Sequence, residues 1–395
     1  MTAATRMIAP TVGLQQAAHG VWDAAVVGAG PSGALAAREL ARRGASVLLI
    51  DKAAFPRWKV CGCCVNAAAL GVLRAVGLEA LPDQLGARPL RELVLVEGPR
   101  RVRLALPAVV ALSREAFDAA LIRQAIKAGA HFLPQTAATF DGGAAPLRGL
   151  ALQCGEQQMR VAARVVLAAN GLGEGLVQQG RAAKPRQISR PRIGAGTIVD
   201  EAPGWYCGGT IVMVCGSGGY VGLVQLEDGR LNVAAAFDPA FVRSAKGPGP
   251  AAAKLIAHAG LPQVNGLNEG AWRGTPWLTQ PSVRLARERL FVIGDAAGSI
   301  EPFTGEGIAW VLWCGAAVSP LALEAIRQWT PALSDRWAAL YRRQVGRRQW
   351  ACRLLAAMLR RAMLSRAAID VLARVPSLAA PVVQYVNAPL PVHST

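Results

Sequence analysis

The sequence predicts an α/β protein: a parallel sheet wound with helices, an antiparallel sheet inserted into it, and a helical C-terminus. Three observations predict this. A strand, a Gly-x-Gly-x-x-Gly turn, a helix, a second strand and an acid follow one another within residues 23–51. Short apolar runs separated by turn residues occupy 188–280. Beyond residue 326, apolar and arginine residues interleave at roughly helical spacing.

Composition sets the outer bounds. The 395 residues have room for two to three domains of roughly 150 residues each. Apolar residues make up 52% and charged residues 17%, which excludes general disorder. Glycine and proline together number 67 with no G-X-Y period, so collagen and low-complexity chains are excluded as well. The net charge is +18, carried by 37 Arg and only six Lys. Nine of those Arg lie between Arg336 and Arg366 with no Asp or Glu among them. Two readings stay open for this charge: an anionic partner, or an arginine-rich coding bias. The eight cysteines form no disulfide framework, and residues 1–20 hold no secretory apolar run. A reducing cytoplasm is therefore the expectation, with peripheral membrane contact as a variant.

The first element in chain order is the sharpest. Ala24 to Val27 reads as a buried strand. Gly28-Ala29-Gly30-Pro31-Ser32-Gly33 follows, then an Ala/Leu-rich helix ended by Gly44. Ser46 to Ile50 is a second strand, closed by Asp51. Gly28 permits the tight turn, Gly30 lets backbone approach a pyrophosphate, and Gly33 lets helix pack on strand. The helix N-terminus offers N–H groups to phosphate. Asp51, 18 residues past Gly33, can accept two hydrogen bonds from a ribose diol and disfavours a 2′-phosphate. A Rossmann-like dinucleotide-binding unit is predicted.

A second turn lies far downstream. Arg289 to Ile293 reads as a strand, followed by Gly294-Asp295-Ala296-Ala297-Gly298 and Glu301-Pro302-Phe303-Thr304-Gly305-Glu306-Gly307-Ile308. Asp295 can accept from a ribityl hydroxyl. Gly305 and Gly307 open an apolar helix whose N-terminus can stabilise charge on a reduced flavin. The apolar stretch Gly307–Leu323 contains Gly315, Ser319 and Pro320 and is predicted to be a buried helix rather than a membrane span.

These motifs, with Phe55-Pro56-Arg57-Trp58-Lys59-Val60-Cys61-Gly62 and Arg114-Glu115-Ala116-Phe117-Asp118, resemble one superfamily. It is that of the FAD-dependent oxidoreductases: aromatic-ring hydroxylases of the p-hydroxybenzoate hydroxylase type, geranylgeranyl reductases and flavin-dependent halogenases. The resemblance implies FAD as cofactor and NAD(P)H as transient reductant. It implies that Asp51 holds the adenosine ribose and that Cys61 and Gly62 lie beside the flavin. Arg114 would reach the cofactor, and Ala138 would touch the adenine side. Asp295 would bind the ribityl or pyrophosphate region. Gly305, Gly307 and Ile308 would present N–H groups to the flavin's pyrimidine end. Pro31, Ser32 and Lys52 complete the cofactor-binding set. Flavin chemistry leaves the catalytic residues unassigned, with Cys61, Pro302, Phe303 and Thr304 as the candidates nearest to it.

Several departures narrow the chemistry. Asn170-Gly171 stands where hydroxylases carry Asp-Gly. No Trp-x-Trp-x-Ile-Pro segment supports a halogenase. Gly219-Tyr220-Val221-Gly222 keeps only the Tyr of the reductases' Tyr-x-Trp-x-Phe-Pro segment. There is no second dinucleotide fingerprint, since Gly171-Leu172-Gly173-Glu174-Gly175 lacks the spacing. Cys61, Cys63 and Cys64 have no partner pair at zinc spacing, so no metal is expected. A redox role and a plain pocket lining stay open for them.

The inserted unit is predicted from its strands. Arg91–Glu97 and Arg101–Leu106 form a hairpin; Ile193–Val199, Trp205–Val214, Tyr220–Leu226 and Leu231–Phe237 follow, with Asp228-Gly229 as a hairpin turn. Laid over the flavin, this antiparallel sheet would form an apolar pocket with Trp205, Tyr206, Tyr220, Trp272 and Trp277 as candidate liners. The C-terminal region reads as basic amphipathic helices with a break at Gly346. Membrane contact, an acidic carrier protein and a simple cap over the pocket stay open there. Nucleic acid is not expected, because aromatic interleaving is sparse.

The domains expected are a flexible tail at 1–20, an FAD-binding domain at 21–87, 107–187 and 281–325, a substrate-binding sheet at 88–106 and 188–280, and basic helices at 326–395. The function expected first is an NAD(P)H-driven monooxygenase that hydroxylates an apolar aromatic, polyketide- or lipid-like molecule with molecular oxygen, through a flavin hydroperoxide. A geranylgeranyl-reductase-like enzyme reducing carbon–carbon double bonds comes second. A halogenase, or a non-catalytic membrane- or carrier-binding scaffold, comes last.

Overall fold

Val21–Val27 is the central strand of the first sheet, and its last four residues are buried. It pairs in parallel with Val47–Ile50 on one side and with Gln157–Ala168 on the other. His131–Leu133 and Leu290–Val292 extend the parallel array at either end. Strands buried on both faces need continuous apolar runs, which is why these read as runs rather than alternations. The structure, a computed structural model, describes residues 6–141, 146–172, 191–280, 284–301 and 303–392. Pro302 and Gly173-Glu174-Gly175 lie outside the described residues, as do the expected domain borders at 187/188 and residue 281.

The Pro31–Ala41 helix is buried along its whole length. It packs against this sheet and against the Gly307–Arg327 helix, which also meets the sheet, and the two helices touch closely. A Cβ on Gly315 would stand 2.4 Å from the Ser32 carbonyl oxygen, so only glycine allows the approach. The Gly307–Arg327 helix is long and apolar enough to cross a membrane by composition, yet 78% of its most apolar window is buried in the protein.

The second sheet runs in the order Arg273–Trp277, Ile193–Val199, Leu231–Phe237, Gly219–Gln225, Thr210–Gly216, Arg88–Glu97, Arg100–Ala111, Cys64–Val65. Two of its predicted strands, Ile193–Val199 and Leu231–Phe237, have the observed bounds. Three expectations need correction. The sheet is not antiparallel throughout, because Thr210–Gly216 pairs in parallel with Arg88–Glu97. The strand expected from Trp205 starts at Thr210. Gly209 takes φ +80°, and Tyr206 is turned into the core, donating its hydroxyl hydrogen to the Thr210 carbonyl at 2.5 Å. The border at 106/107 falls inside the strand Arg100–Ala111, whose Leu104 and Val109 are both buried. Two helices that the sequence reading omitted, Pro239–Ala245 and Pro248–His258, pack on this sheet, each with proline in its first turn.

Residues 6–20 are not a flexible tail. Ile8, Val12, Leu14 and Ala17 join the core of the first sheet. The Ile8 N–H donates to the Phe55 carbonyl at 2.9 Å, and the Phe132 N–H donates to Thr11 Oγ1 at 2.7 Å. The C-terminal region is helical, at Pro331–Tyr341, Arg347–Leu359, Ala362–Arg374 and Ala380–Asn387. Gly346 does not break it. It keeps a right-handed helical conformation (φ −58°), and a π-helical turn at Arg342–Gly346 carries the chain through.

Candidate active site

The three fingerprint glycines do different work. Gly28 sits at φ +107°, and a Cβ there would meet the Ala169 carbonyl oxygen at 2.2 Å. A Cβ on Gly33 would stand 1.8 Å from the Gly28 carbonyl oxygen. Both are packing requirements. A Cβ on Gly30, by contrast, would meet only Arg114 Nη2, at 4.0 Å. The space over Gly30, at the N-terminus of the Pro31–Ala41 helix, is open. Beside it Ser32 Oγ is buried with no hydrogen-bond partner among the described residues. An open turn, an orphaned hydroxyl and a helix N-terminus fit the diphosphate of a dinucleotide.

Asp51 is buried at the end of Val47–Ile50. Its carboxylate accepts from the Ala29 N–H at 2.7 Å and the Ala53 N–H at 2.9 Å, which aims it across the turn. Lys52 is exposed. Ala138 lies on the strand Ala137–Phe140, half-buried, just past Thr136, whose N–H donates to the Asp51 carbonyl at 2.9 Å.

Arg114 begins a helix capped by Ser113. It makes a two-pronged ion pair with the fully buried Asp118, at 2.7 and 2.8 Å. Burial lowers the Arg114 pKa, but Asp118 and then Cys61 raise it, and the net shift is upward. A permanent cation is thus fixed beside Gly30.

The loop carrying Cys61 faces the same cation. The Cys63 N–H points at Cys61 Sγ from 3.4 Å, and Asn232 Nδ2 donates to the Cys61 carbonyl at 2.9 Å. The Cys61 thiol is pulled down to about 6 by the Cys63 side chain, against burial, with Arg114 assisting. Cys63 is raised by the same contact and by burial. Burial, followed by the charge of Cys61, pushes Cys64 up to about 12. Burial and then Arg114 lower the Lys59 ammonium's pKa, while Asp295 opposes them.

The downstream turn meets the fingerprint. Gly294 takes φ +64°, and a Cβ on it would stand 3.0 Å from the Ser32 Cβ. Asp295 follows on this turn and lines the cavity described below. Gly305, at φ +73°, and Gly307 have nothing within 4 Å of where a Cβ would stand. Behind this loop lie two buried carboxylates. Glu301 binds Arg192 at 2.9 Å and Arg360 at 2.6 Å. Glu306 binds Arg348 at 3.1 Å, and burial raises its pKa.

A cavity of about 270 Å³ lies between these loops, the second sheet and the C-terminal helices. Cys61, Gly62, Arg114, Asp295, Phe303, Thr304, Gly305, Gly307 and Ile308 all line it. Of the five aromatic candidates, only Tyr220 does. Its ring meets Phe303 edge-on at 5.1 Å, and its hydroxyl is buried without a partner. Burial, with Glu301 adding to it, raises the Tyr220 pKa well above the usual tyrosine value. Trp205, Tyr206 and Trp272 belong to the core on the sheet's other face, and Trp277 is 47% exposed. The cavity wall is instead aliphatic: Leu93, Leu106, Val109, Ile211, Met213 and Val224. Period-two alternation separates this face from the other without naming which one meets the ligand. Ile211 and Met213 face the cavity, whereas Val212 and Val214 face the helix-covered core. Tyr341, Val345 and Gln349 close the cavity from the C-terminal helices and carried no motif in the sequence.

A dinucleotide turn, a second glycine turn against it and one shared cavity define an FAD-dependent oxidoreductase. Residues 22–187 match the family described as "FAD binding domain". Conditioned medium factor receptor 1 of Dictyostelium discoideum is 26% identical over 350 residues. That is 77% of this chain and 63% of the relative, so the chain spans less than two thirds of that protein. Digeranylgeranylglycerophospholipid reductase 2 of Methanopyrus kandleri is 24% identical over 342 residues, 80% of this chain and 82% of the relative. Among solved structures, a flavin-dependent brominase superposes with a TM-score of 0.78 at 16% identity, covering 94% of this chain and 95% of its own. A geranylgeranyl bacteriochlorophyll reductase-like protein from Thermoplasma acidophilum gives 0.72 at 21% identity, covering 94% and 96%. At these identities the structural likeness is one of fold.

Proposed function

We propose that the chain reduces carbon–carbon double bonds in an isoprenoid-bearing lipid. The observation that carries this reading is the aliphatic cavity wall of Leu93, Leu106, Val109, Ile211, Met213 and Val224. A branched hydrocarbon chain fits such a wall without leaving polar groups unpaired. The digeranylgeranylglycerophospholipid reductase of Methanopyrus kandleri, which shares most of its length with this chain, supports the same choice. The order of the two leading readings is therefore the reverse of the sequence expectation, with hydroxylation second.

Bound and reduced FAD would supply a hydride, the electron pair together with one of the two hydrogens. The chain's residues do the rest. The Gly28–Gly33 turn, Ser32 and Asp51 hold the dinucleotide, and Arg114 offsets its negative charge. Tyr220, kept protonated by burial and without a partner at its hydroxyl, is placed to deliver the proton that completes the reduction. The apolar wall favours a hydrocarbon over water beside the reacting bond. NAD(P)H is the proposed transient reductant.

The test is a product mass. Protein reduced with dithionite in the absence of air is mixed with a geranylgeranyl-bearing lipid. A gain of two hydrogens per double bond supports the reading. A gain of one oxygen atom, seen only under air with NADPH, overturns it in favour of hydroxylation.

A further inference from the structure

The C-terminal helices are apolar on two faces. On the inner face Ile369, Leu372, Ala379 and Val383 pack against the inserted sheet and Phe303. On the outer face Leu364, Val371, Val375, Leu378, Val382 and Tyr385 are 43–56% exposed, and Met363 is 85% exposed. An exposed apolar patch marks a docking surface. From Arg336 to Asn387 there are ten Arg and a single acid, Asp370. Arg100 holds that acid at 2.8 Å. Arg336, Arg348, Arg360 and Arg366 pair with Glu324, Glu306, Glu301 and Glu97. Arg361 and Arg374 flank the Ala362–Arg374 helix and are both exposed.

We propose that this face seats the protein on an anionic lipid bilayer. Apolar side chains bordered by arginines match a surface that offers hydrocarbon beneath negative headgroups. A second copy of the chain fits less well, since a two-fold pairing through this face would bring like charges together. The same segment borders the cavity. Asn387 lines it, and the Asn387 side-chain oxygen accepts from the Ala67 N–H at 3.2 Å. Arg348 bridges Glu306 of the cofactor loop and the Ala388 carbonyl, at 3.1 and 2.8 Å. A bilayer under this face would put an isoprenoid lipid next to the cavity's C-terminal wall. The proposal extends the lipid-substrate reading, but its test requires no turnover.

The FAD-loaded full chain is sedimented with vesicles of phosphatidylcholine alone and of phosphatidylcholine mixed with phosphatidylglycerol. Binding to the mixed vesicles only, weakening as salt is raised, is expected. Leu378→Glu combined with Val382→Glu should abolish it. Arg361→Gln combined with Arg374→Gln should weaken it about fivefold per charge removed. Flavin absorbance and circular dichroism report whether each variant is folded, and the arginine pair serves if the apolar pair is not. Wild-type protein that stays in the supernatant with both vesicle types overturns the proposal. So does a dimer by light scattering that Leu378→Glu converts to monomer. The product-mass test, run in detergent, fails or succeeds independently of these outcomes.

Discussion

Gly294 and Ser32 are 262 residues apart in the chain, yet a Cβ on Gly294 would stand 3.0 Å from the Ser32 Cβ. This contact joins the two glycine turns. It brings the buried Ser32 hydroxyl of the first turn against the turn that carries Asp295.

The glycines of the first turn should separate by experiment. Gly30→Val should fold normally and purify colourless, because the space over Gly30 is empty of protein. Gly33→Ala should lower the thermal midpoint, with about 1–3 kcal/mol of strain, since its Cβ would overlap the Gly28 carbonyl. Flavin absorbance and a melting curve read both. Asp295→Ala should also lose flavin while keeping its melting temperature.

Cys61 makes a pH prediction. Its folded pKa is depressed to about 6 from an ordinary 9.0. The unfolded chain therefore holds the extra proton between those values, and stability rises with pH across that window. The contribution is complete above pH 9.0 and lost as pH falls through about 6. Denaturation midpoints for wild type and Cys61→Ala should converge at low pH. Alkylation of the native protein should follow the same midpoint.

Breaking the Glu306–Arg348 pair should be costly. Glu306 is 1% exposed, so Arg348→Leu strands a buried carboxylate. A loss of about 3–5 kcal/mol in urea denaturation is expected. Glu306→Gln in the same background should restore part of it.

Tyr220→Phe tests the proton assignment. Removing a positioned general acid should lower kcat about 10²–10⁴-fold. KM and flavin content should stay near wild type, because the ring's contact with Phe303 is retained. An unchanged kcat would remove Tyr220 from the reaction.

By itself the sequence determined the cofactor turns and most of the strands. Gly28 to Gly33, Asp51 and Gly294 to Ile308 are legible because each part answers to local geometry: a positive φ, a close approach, an acid at a strand end. Tertiary structure decided which side chains face the ligand. Trp205, Tyr206 and Trp272 look like pocket aromatics, but the helices Pro239–Ala245 and Pro248–His258 pack on the same face of the sheet as they do. The opposite, aliphatic face was left for the cavity. Alternation marks two faces on a strand without saying which a later helix will cover. The pKa of Cys61 was equally hidden, because it depends first on the loop turning the Cys63 side chain onto it, and then on Arg114, 53 positions away, being pinned beside it by Asp118.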